Sequence, residues 1–340
     1  MHIKTTRKRV ALIYGGEGYE HNISVMSADN LYKLIDTELY EVIKVKIERS
    51  GEWIVYDTRR GKTVMAQAFP VRIGNRSGLL SNGRIIPIDC AIPCLHGNMG
   101  EDGVIQGALT AAGIKFVGED VYASSLTADK AFTKLAAEHL GIPTAKFTLL
   151  PDGASEAKEK AEAEIGYPMF IKPARLGSSL GASPVLSDGD FERAYENARR
   201  YVDRIIAEEL VRYEYELECG YFNGSFSAGG RILSGGEFYD YDAKYEKDTK
   251  TEVSSGKDES AEGVAVEYSK RLERLIGIRN LSRIDFFVTK DGEVIFNEIN
   301  AFPGMTATSL YPILTEDMGY KKGEFINLLI KKTLGDDRDI

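Results

Sequence analysis

The segment RIDFFVTKDGEVIFNEIN (283–300) places a guanidinium, two carboxylates and a carboxamide at alternating positions on two strand-like runs. Between the runs stands Asp291-Gly292, a pair favoured in two-residue type I′ hairpin turns. With such a loop Lys290 faces Glu293, Asp285 lies opposite Glu298 and Arg283 lies opposite Asn300, all four on one face. Facing Cβ atoms are about 4.5–5.5 Å apart, where two like charges are unfavourable unless a cation sits between them. Magnesium suits this set, because it takes carboxylate and amide oxygens and completes its shell with water and substrate phosphate. Asp285, Glu298 and Asn300 are therefore predicted metal ligands. A three-residue loop would undo this register. A solvated hairpin face would also carry polar groups, but Ile284, Phe286, Ile295, Phe296 and Ile299 are too apolar for an exposed hairpin.

A second group of residues suits phosphate. Lys172 precedes the loop Gly177-Ser178-Ser179-Leu180-Gly181, which offers an ammonium and closely approaching backbone N–H groups. Taken alone, such a loop is equally an ordinary Ser/Gly turn. Lys130 falls in the first turn of a helix expected over 127–140, where the macrodipole disfavours a cation, so its charge points to a ligand.

These residues need a scaffold of several layers. The chain of 340 residues fits two or three domains. It is 43% hydrophobic and 28% charged, an ordinary globular balance, and no stretch reaches the roughly 20 apolar residues that cross a bilayer. A net charge of −9 argues against a nucleic-acid partner. The basic start MHIKTTRKR is followed by a short strand-like run without a long apolar segment or cleavage site, which predicts a cytoplasmic protein. Cys90, Cys94 and Cys219 are too few and too unevenly spaced for a disulfide framework or zinc site and read as buried thiols.

Strands are expected at 10–14, 41–47, 53–56 and 88–95 around a helix at 23–35, then a glycine-rich loop, a short helix and another strand. The 127–140 helix stops at Gly141 and Pro143. Strands at 146–149, 168–173, 205–210 and 215–223 then alternate with helices at 155–165 and 188–203. Further helices are expected near 258–277 and 323–333. The division is an N-terminal α/β domain (1–124), a central α+β unit (125–220) and a C-terminal unit with the metal site and a polar lid (221–340).

Four motifs carry a resemblance: HGNMGEDGVIQGAL, IKPARLGSSLGAS, EFYDYDAKY and NEINAFPGMTATSLYP. In this order they strongly resemble the D-alanine–D-alanine ligases of the ATP-grasp superfamily, over residues 9 to about 313. The resemblance implies an α/β and α+β ATP-grasp fold with an N-terminal α/β (pre-ATP-grasp) domain, ATP as co-substrate, and magnesium, with manganese as a substitute. It also implies a homodimer that supplies a dipeptide for cell-wall precursors. The carboxylate of one D-alanine is phosphorylated, and the amine of a second attacks the acyl phosphate.

The resemblance assigns roles residue by residue. Lys130, Lys172, Ser178, Ser179 and the lid residue Lys244 would meet phosphate; Glu208 would accept from the adenine amino group beside the Val211 backbone. Glu216 would take the ribose hydroxyls, with Glu214 as substitute because one extra residue separates hinge and ribose carboxylate. Glu20 would hold the first substrate's ammonium with His96 nearby and Ser24 ordering the loop, and Ser178 and Tyr245 would link Glu20 to the lid. Arg283 and the Gly304 N–H would meet the developing oxyanion. Ser309 and Leu310 would hold the second amino acid, and Leu310 together with Tyr245 favours D-alanine over D-serine or D-lactate. Leu176, His21-Asn22, Ala301-Phe302 and the lid segment TEVSSGKDE depart from the usual pattern. The alternatives are a D-alanine–D-serine ligase, another ATP-grasp carboxylate–amine ligase, and a catalytically inert nucleotide-binding protein.

Overall fold

The computed structural model describes residues 7–59, 62–227, 229–232, 251–253 and 260–335. Strand β1 (Lys8–Gly15) is apolar without alternation because both its faces are covered. It runs parallel to β2 (Tyr40–Ile47) and β8 (Cys90–Cys94), while β3 (Trp53–Arg59) and β4 (Lys62–Gln67) extend the sheet antiparallel in the order β4-β3-β2-β1-β8. Val10 and Leu12 pack beneath helix α1 (His21–Leu34); Ala11 and Ile13 face helix α2 (Val104–Ala111). A separate three-stranded meander of β5 (Phe69–Ile73), β6 (Arg76–Ser81) and β7 (Arg84–Pro87) closes that second face. Sequence reading did not anticipate β4 to β7. The strand expected after α2 is a single bridge, Ala91 to Phe116.

The helix expected over 127–140 is α4 (Lys130–His139), three residues shorter at its start, and a separate helix, α3 (Val121–Thr127), which sequence reading did not anticipate, precedes it. Asp129 splits them, because its carboxylate caps α4 by accepting from the N–H groups of Ala131 and Phe132. Gly141, at φ +64°, ends the turn after α4 in the left-handed conformation.

An antiparallel sheet then orders β11-β10-β12-β9, from β9 (Phe147–Leu149), β10 (Met169–Pro173), β11 (Ser183–Val185) and β12 (Ile205–Glu209). Helices α5 (Ala154–Glu164) and α6 (Phe191–Arg199) cover one face. A second antiparallel sheet orders β16-β15-β13-β17-β18, with β14 (Ser225–Phe226) paired to β13. Its strands are β13 (Tyr215–Phe222), β15 (Gly230–Ile232), β16 (Thr251–Val253), β17 (Leu281–Val288) and β18 (Val294–Asn300). Its apolar face, including Ile284, Phe286 and Phe296, packs on α7 (Ala261–Ile276) and on Ala137 of α4. The 220/221 division thus falls inside β13. Helix α8 (Leu310–Asp317) follows the sheet, and α9 (Glu324–Leu334) returns to the first domain, where Phe325, Ile326 and Leu329 pack with Leu12, Leu31 and Ile92.

Candidate active site

The hairpin reaches its predicted register by a different route. Gly292 N–H donates to Thr289 O at 2.9 Å and Thr289 N–H to Glu293 O at 3.0 Å, so the loop holds Lys290, Asp291 and Gly292. Gly292 takes the left-handed conformation (φ +80°) that closes a three-residue hairpin loop. Lys290 therefore does not face Glu293. This slips the pairing by one residue as far as Phe286 opposite Phe296, where a bulge at Asn297 absorbs one residue and restores Asp285 opposite Glu298 and Arg283 opposite Asn300. The bulge also turns Asn297 toward the cleft, beside Glu298.

On this face Arg283 grips Asp285 with both arms, Nε to Oδ1 at 2.8 Å and Nη2 to Oδ2 at 2.7 Å. Asn300 Nδ2 donates to Asp285 Oδ2 at 2.9 Å, and Lys130 Nζ pairs with Glu298 Oε2 at 2.9 Å. On the other side of Asp285 stands Glu218 of β13, which pairs with Arg283 at 3.0 Å. Asp285 and Glu218 hold the Arg283 proton well above its ordinary range despite burial. Asp285, Glu298 and Asn300 are of the donor types a hard divalent cation takes: they stand on neighbouring same-face rungs and both carboxylates border the cleft, with Asp285 here held by Arg283 and Asn300 Nδ2. Among the described residues no three His, Cys, Asp or Glu side chains form a self-contained cage, so water and substrate phosphate would supply the remaining ligands.

The two antiparallel sheets enclose a cleft of about 370 Å³. Lys130, Lys172, Ser178, Ser179, Asp285 and Glu298 line its polar end; Phe170, Leu210, Val211, Tyr213, Glu216 and Phe287 line the other. Glu216 accepts from Tyr213 Oη at 3.0 Å and borders the cleft, whereas Glu214 does not. Glu208 borders the cleft but is committed elsewhere, since its oxygens pair with Lys172 at 2.5 Å and Lys134 at 3.1 Å. Burial alone would raise its proton affinity, but the two lysines reverse this and hold the carboxyl below its usual range. Lys172 also donates to Asn297 Oδ1 at 3.4 Å. Ser178 and Ser179 both adopt φ near +55°, a conformation that β-carbon-bearing residues rarely hold without support.

At Ser178 that support includes Glu20. Ser178 Oγ donates to Glu20 Oε1 across the junction between the first domain and the central sheet, and Tyr19 stacks edge-on against Tyr201 at 5.1 Å. Gly97 packs its Cα directly on the Glu20 carboxylate. Ser24 ties the loop after β1 to β8, accepting from Gly15 N–H at 2.7 Å and donating to Cys94 O at 2.5 Å. His96 turns inward to Ser27 Oγ at 2.9 Å, and burial lowers its pKa. Glu101 links this loop to the following one, accepting from Gly97 N–H at 2.8 Å and Phe302 N–H at 3.1 Å; burial and the Glu20 charge raise its pKa to about 8.

Several predicted residues are not brought to the cleft. Ser309 Oγ accepts from Thr306 N–H at 3.0 Å, and its Cβ and Oγ sit against Gly304. Leu310 is buried with Ile232 and Leu314 against Gly230. Glu20, His96, Arg283, Gly304, Ser309 and Leu310 border neither the cleft nor the small chamber beside it, although Glu20 and Arg283 bond to residues that line the cleft, Ser178 and Asp285. Lys244 and Tyr245 lie outside the described residues. Of the departures, Leu176 is buried and its carbonyl accepts from Lys130 at 2.7 Å, and His21 bonds to Gly16 O at 2.6 Å rather than facing the cleft. Phe302 is buried beside His96. Sequence reasoning did not single out Glu101, Lys134, Glu218 or Asn297. The lone signal for the first was its place in the quoted HGNMGEDG motif.

Two antiparallel sheets gripping a cleft, with lysines and a Gly/Ser loop on one wall and paired carboxylates on the other, define an ATP-grasp protein with an added N-terminal α/β domain. The family profiles agree: "D-ala D-ala ligase N-terminus" matches residues 9–119 and "D-ala D-ala ligase C-terminus" matches 136–331. The chain belongs to the D-alanine–D-alanine ligase family. A D-alanine–D-alanine ligase of Ruminiclostridium cellulolyticum is 35% identical, covering 96% of this chain and 95% of its own. The structure of the VanG D-Ala:D-Ser ligase of Enterococcus faecalis superposes with a TM-score of 0.84 at 30% identity, covering 96% of this chain and all of its own. D-alanyl-alanine synthetase A of Vibrio cholerae gives 0.84 at 32%, covering 97% and 99%.

Proposed function

We propose that this protein joins two D-alanines at the expense of ATP, releasing D-alanyl-D-alanine, ADP and phosphate, as a cytoplasmic homodimer in cell-wall precursor synthesis. The observation that carries this reading is the meeting of three groups at one end of the cleft. These are the Asp285–Glu298 rung, the ammonium groups of Lys130 and Lys172, and the Glu20–Ser178 bond. Glu20 is an anionic anchor suited to a substrate ammonium. Lys130 and Lys172 offset charge on the γ-phosphoryl group as it passes from ATP to the first D-alanine's carboxylate. The second D-alanine's amine, having lost a proton to solvent, adds to the acyl carbon to form the C–N bond, and the resulting tetrahedral oxyanion then collapses by breaking the C–O bond and releasing phosphate. Arg283, held by Asp285 and Glu218, stabilises the intervening oxyanion. Asp285, Glu298 and Asn300 would hold magnesium or manganese, which neutralises phosphate charge when bound.

The test is to incubate the protein with ATP, magnesium, D-alanine and D-serine and to identify the dipeptides. D-alanyl-D-alanine should predominate, with stoichiometric phosphate. Predominance of D-alanyl-D-serine would overturn the second substrate, and nucleotide binding without phosphate release would overturn the enzyme itself.

A further inference from the structure

Lys134 of α4 has no part in the chemistry above, yet its side chain is 0% exposed. Its ammonium lies 3.1 Å from Glu208 Oε2 and donates to Thr144 Oγ1 at 3.1 Å, while the Thr144 hydroxyl donates in turn to Phe296 O at 3.1 Å. On the other side of the same carboxylate stands Lys172, at 2.5 Å. One buried carboxylate is therefore shared by two cations, of which only Lys172 borders the cleft.

A buried ammonium is an expensive way to fill space, because an apolar side chain of like volume would pack there without desolvation. The arrangement gains a purpose once Lys172 must move. A phosphate entering the cleft competes with Glu208 for the Lys172 ammonium. If Lys172 were the sole partner of Glu208, its departure would strand a buried carboxylate, which would then take up a proton. With Lys134 in place, Glu208 keeps a counter-charge.

We propose that Lys134 is a positioning residue of the nucleotide cleft: it keeps Glu208 ionised and fixed, so that Lys172 can transfer to a bound phosphate. This rests on the nucleotide-binding reading above. The charged groups around Glu208 are Lys134 from α4 and Lys172 from β10, and Glu298 of β18 acts on Lys134 from further off.

The experiment is calorimetric titration of a non-hydrolysable ATP analogue with magnesium, from pH 6 to 9, in buffers of different ionisation enthalpy. It compares the wild type with Lys134→Met, Glu208→Gln and the double variant. Lys134→Met should bind about ten-fold more weakly at pH 8. It should also take up as much as one proton more than the wild type on binding, and recover affinity toward pH 6. In the double variant this extra uptake should vanish. A Lys134→Met protein that binds like the wild type, or is weakened by one factor at every pH with no added proton, would overturn the proposal. If Lys134→Met does not fold, the double variant decides: affinity equal to that of Glu208→Gln alone supports action through Glu208, and a further loss refutes it. A wild type that fails to bind the analogue, or a Lys172→Met variant that binds it equally well, would instead refute the cleft assignment on which the proposal stands.

Discussion

Substituting Gly97 by alanine tests how the first-substrate anchor is held. Gly97 sits at φ +66°, and a Cβ built on it would lie 2.2 Å from Glu20 Oε2. An ordinary contact needs well over 3 Å, so the carboxylate must retreat by more than 1 Å. That movement breaks the Glu20–Ser178 bond, a charge-assisted contact of about 1.5–3 kcal/mol. Left-handed backbone adds roughly 1–2 kcal/mol of strain to the folded state. Converted at 1.4 kcal/mol per decade, the lost anchor should raise KM for the first D-alanine about 10- to 100-fold. The KM for ATP should rise less, because the lost bond disturbs the Ser178 side of the cleft but leaves in place Lys172, Glu208 and Val211, none of which touches Gly97. Steady-state kinetics with separate D-alanine and ATP titrations, together with a denaturation midpoint, measure both effects. A Gly97→Ala enzyme with unchanged D-alanine kinetics would refute the assignment of Glu20 as anchor. Gly177→Ala is the control for stability: its Cβ would stand 3.5 Å from the same oxygen without left-handed strain, so the variant should fold as well as the wild type.

Other perturbations follow from the same geometry. Glu298→Gln keeps the volume and removes a charge only partly buried against Lys130, so the fold should persist while magnesium-dependent phosphate release falls at least ~100-fold; unchanged turnover would remove Glu298 from the metal site. Glu119 accepts from the N–H groups of Arg279, Asn280 and Leu281, and burial raises its pKa to about 7 from 4.5. The folded state therefore binds this proton more tightly than the unfolded chain, so the contribution of Glu119 to stability is full below pH 4.5 and is lost, up to roughly 3 kcal/mol, as pH rises through 7. Urea midpoints of the wild type should drop across that window by more than those of Glu119→Gln, in which the raised Glu101 carboxyl still titrates; parallel profiles would contradict the linkage. Asn327 of α9 accepts from Asp36 N–H at 2.8 Å and donates to Leu34 O at 2.9 Å, so Asn327→Ala should destabilise the protein by about 1–3 kcal/mol, measured by denaturant unfolding. No loss of stability would mean that α9 is not anchored there.

Much of the chemistry was legible in the order of residues alone. Alternation over 283–300 placed Arg283 and Asp285 on one face and Glu298 and Asn300 on another strand's matching face, since side chains alternate with period two. The apolar run at 10–14 followed by glycines signalled the first strand of an α/β unit, and the Gly177–Gly181 loop announced close backbone approach. Tertiary structure decided the rest. The Asp285–Glu298 rung survives because a three-residue loop and the bulge at Asn297 offset one another, and neither is visible until two strands pair. The resemblance assigns Glu208 to the adenine amino group, but Lys134 and Lys172 reach its carboxylate from a helix and a strand far along the chain. Helix α9, expected near 323–333 as part of the C-terminal unit, instead completes the core of the first domain. Such contacts join residues separated by dozens to hundreds of positions, so local composition carries no trace of them. Residue type sets which chemistry is available, and the long-range packing of sheets and helices sets which partner each charge meets.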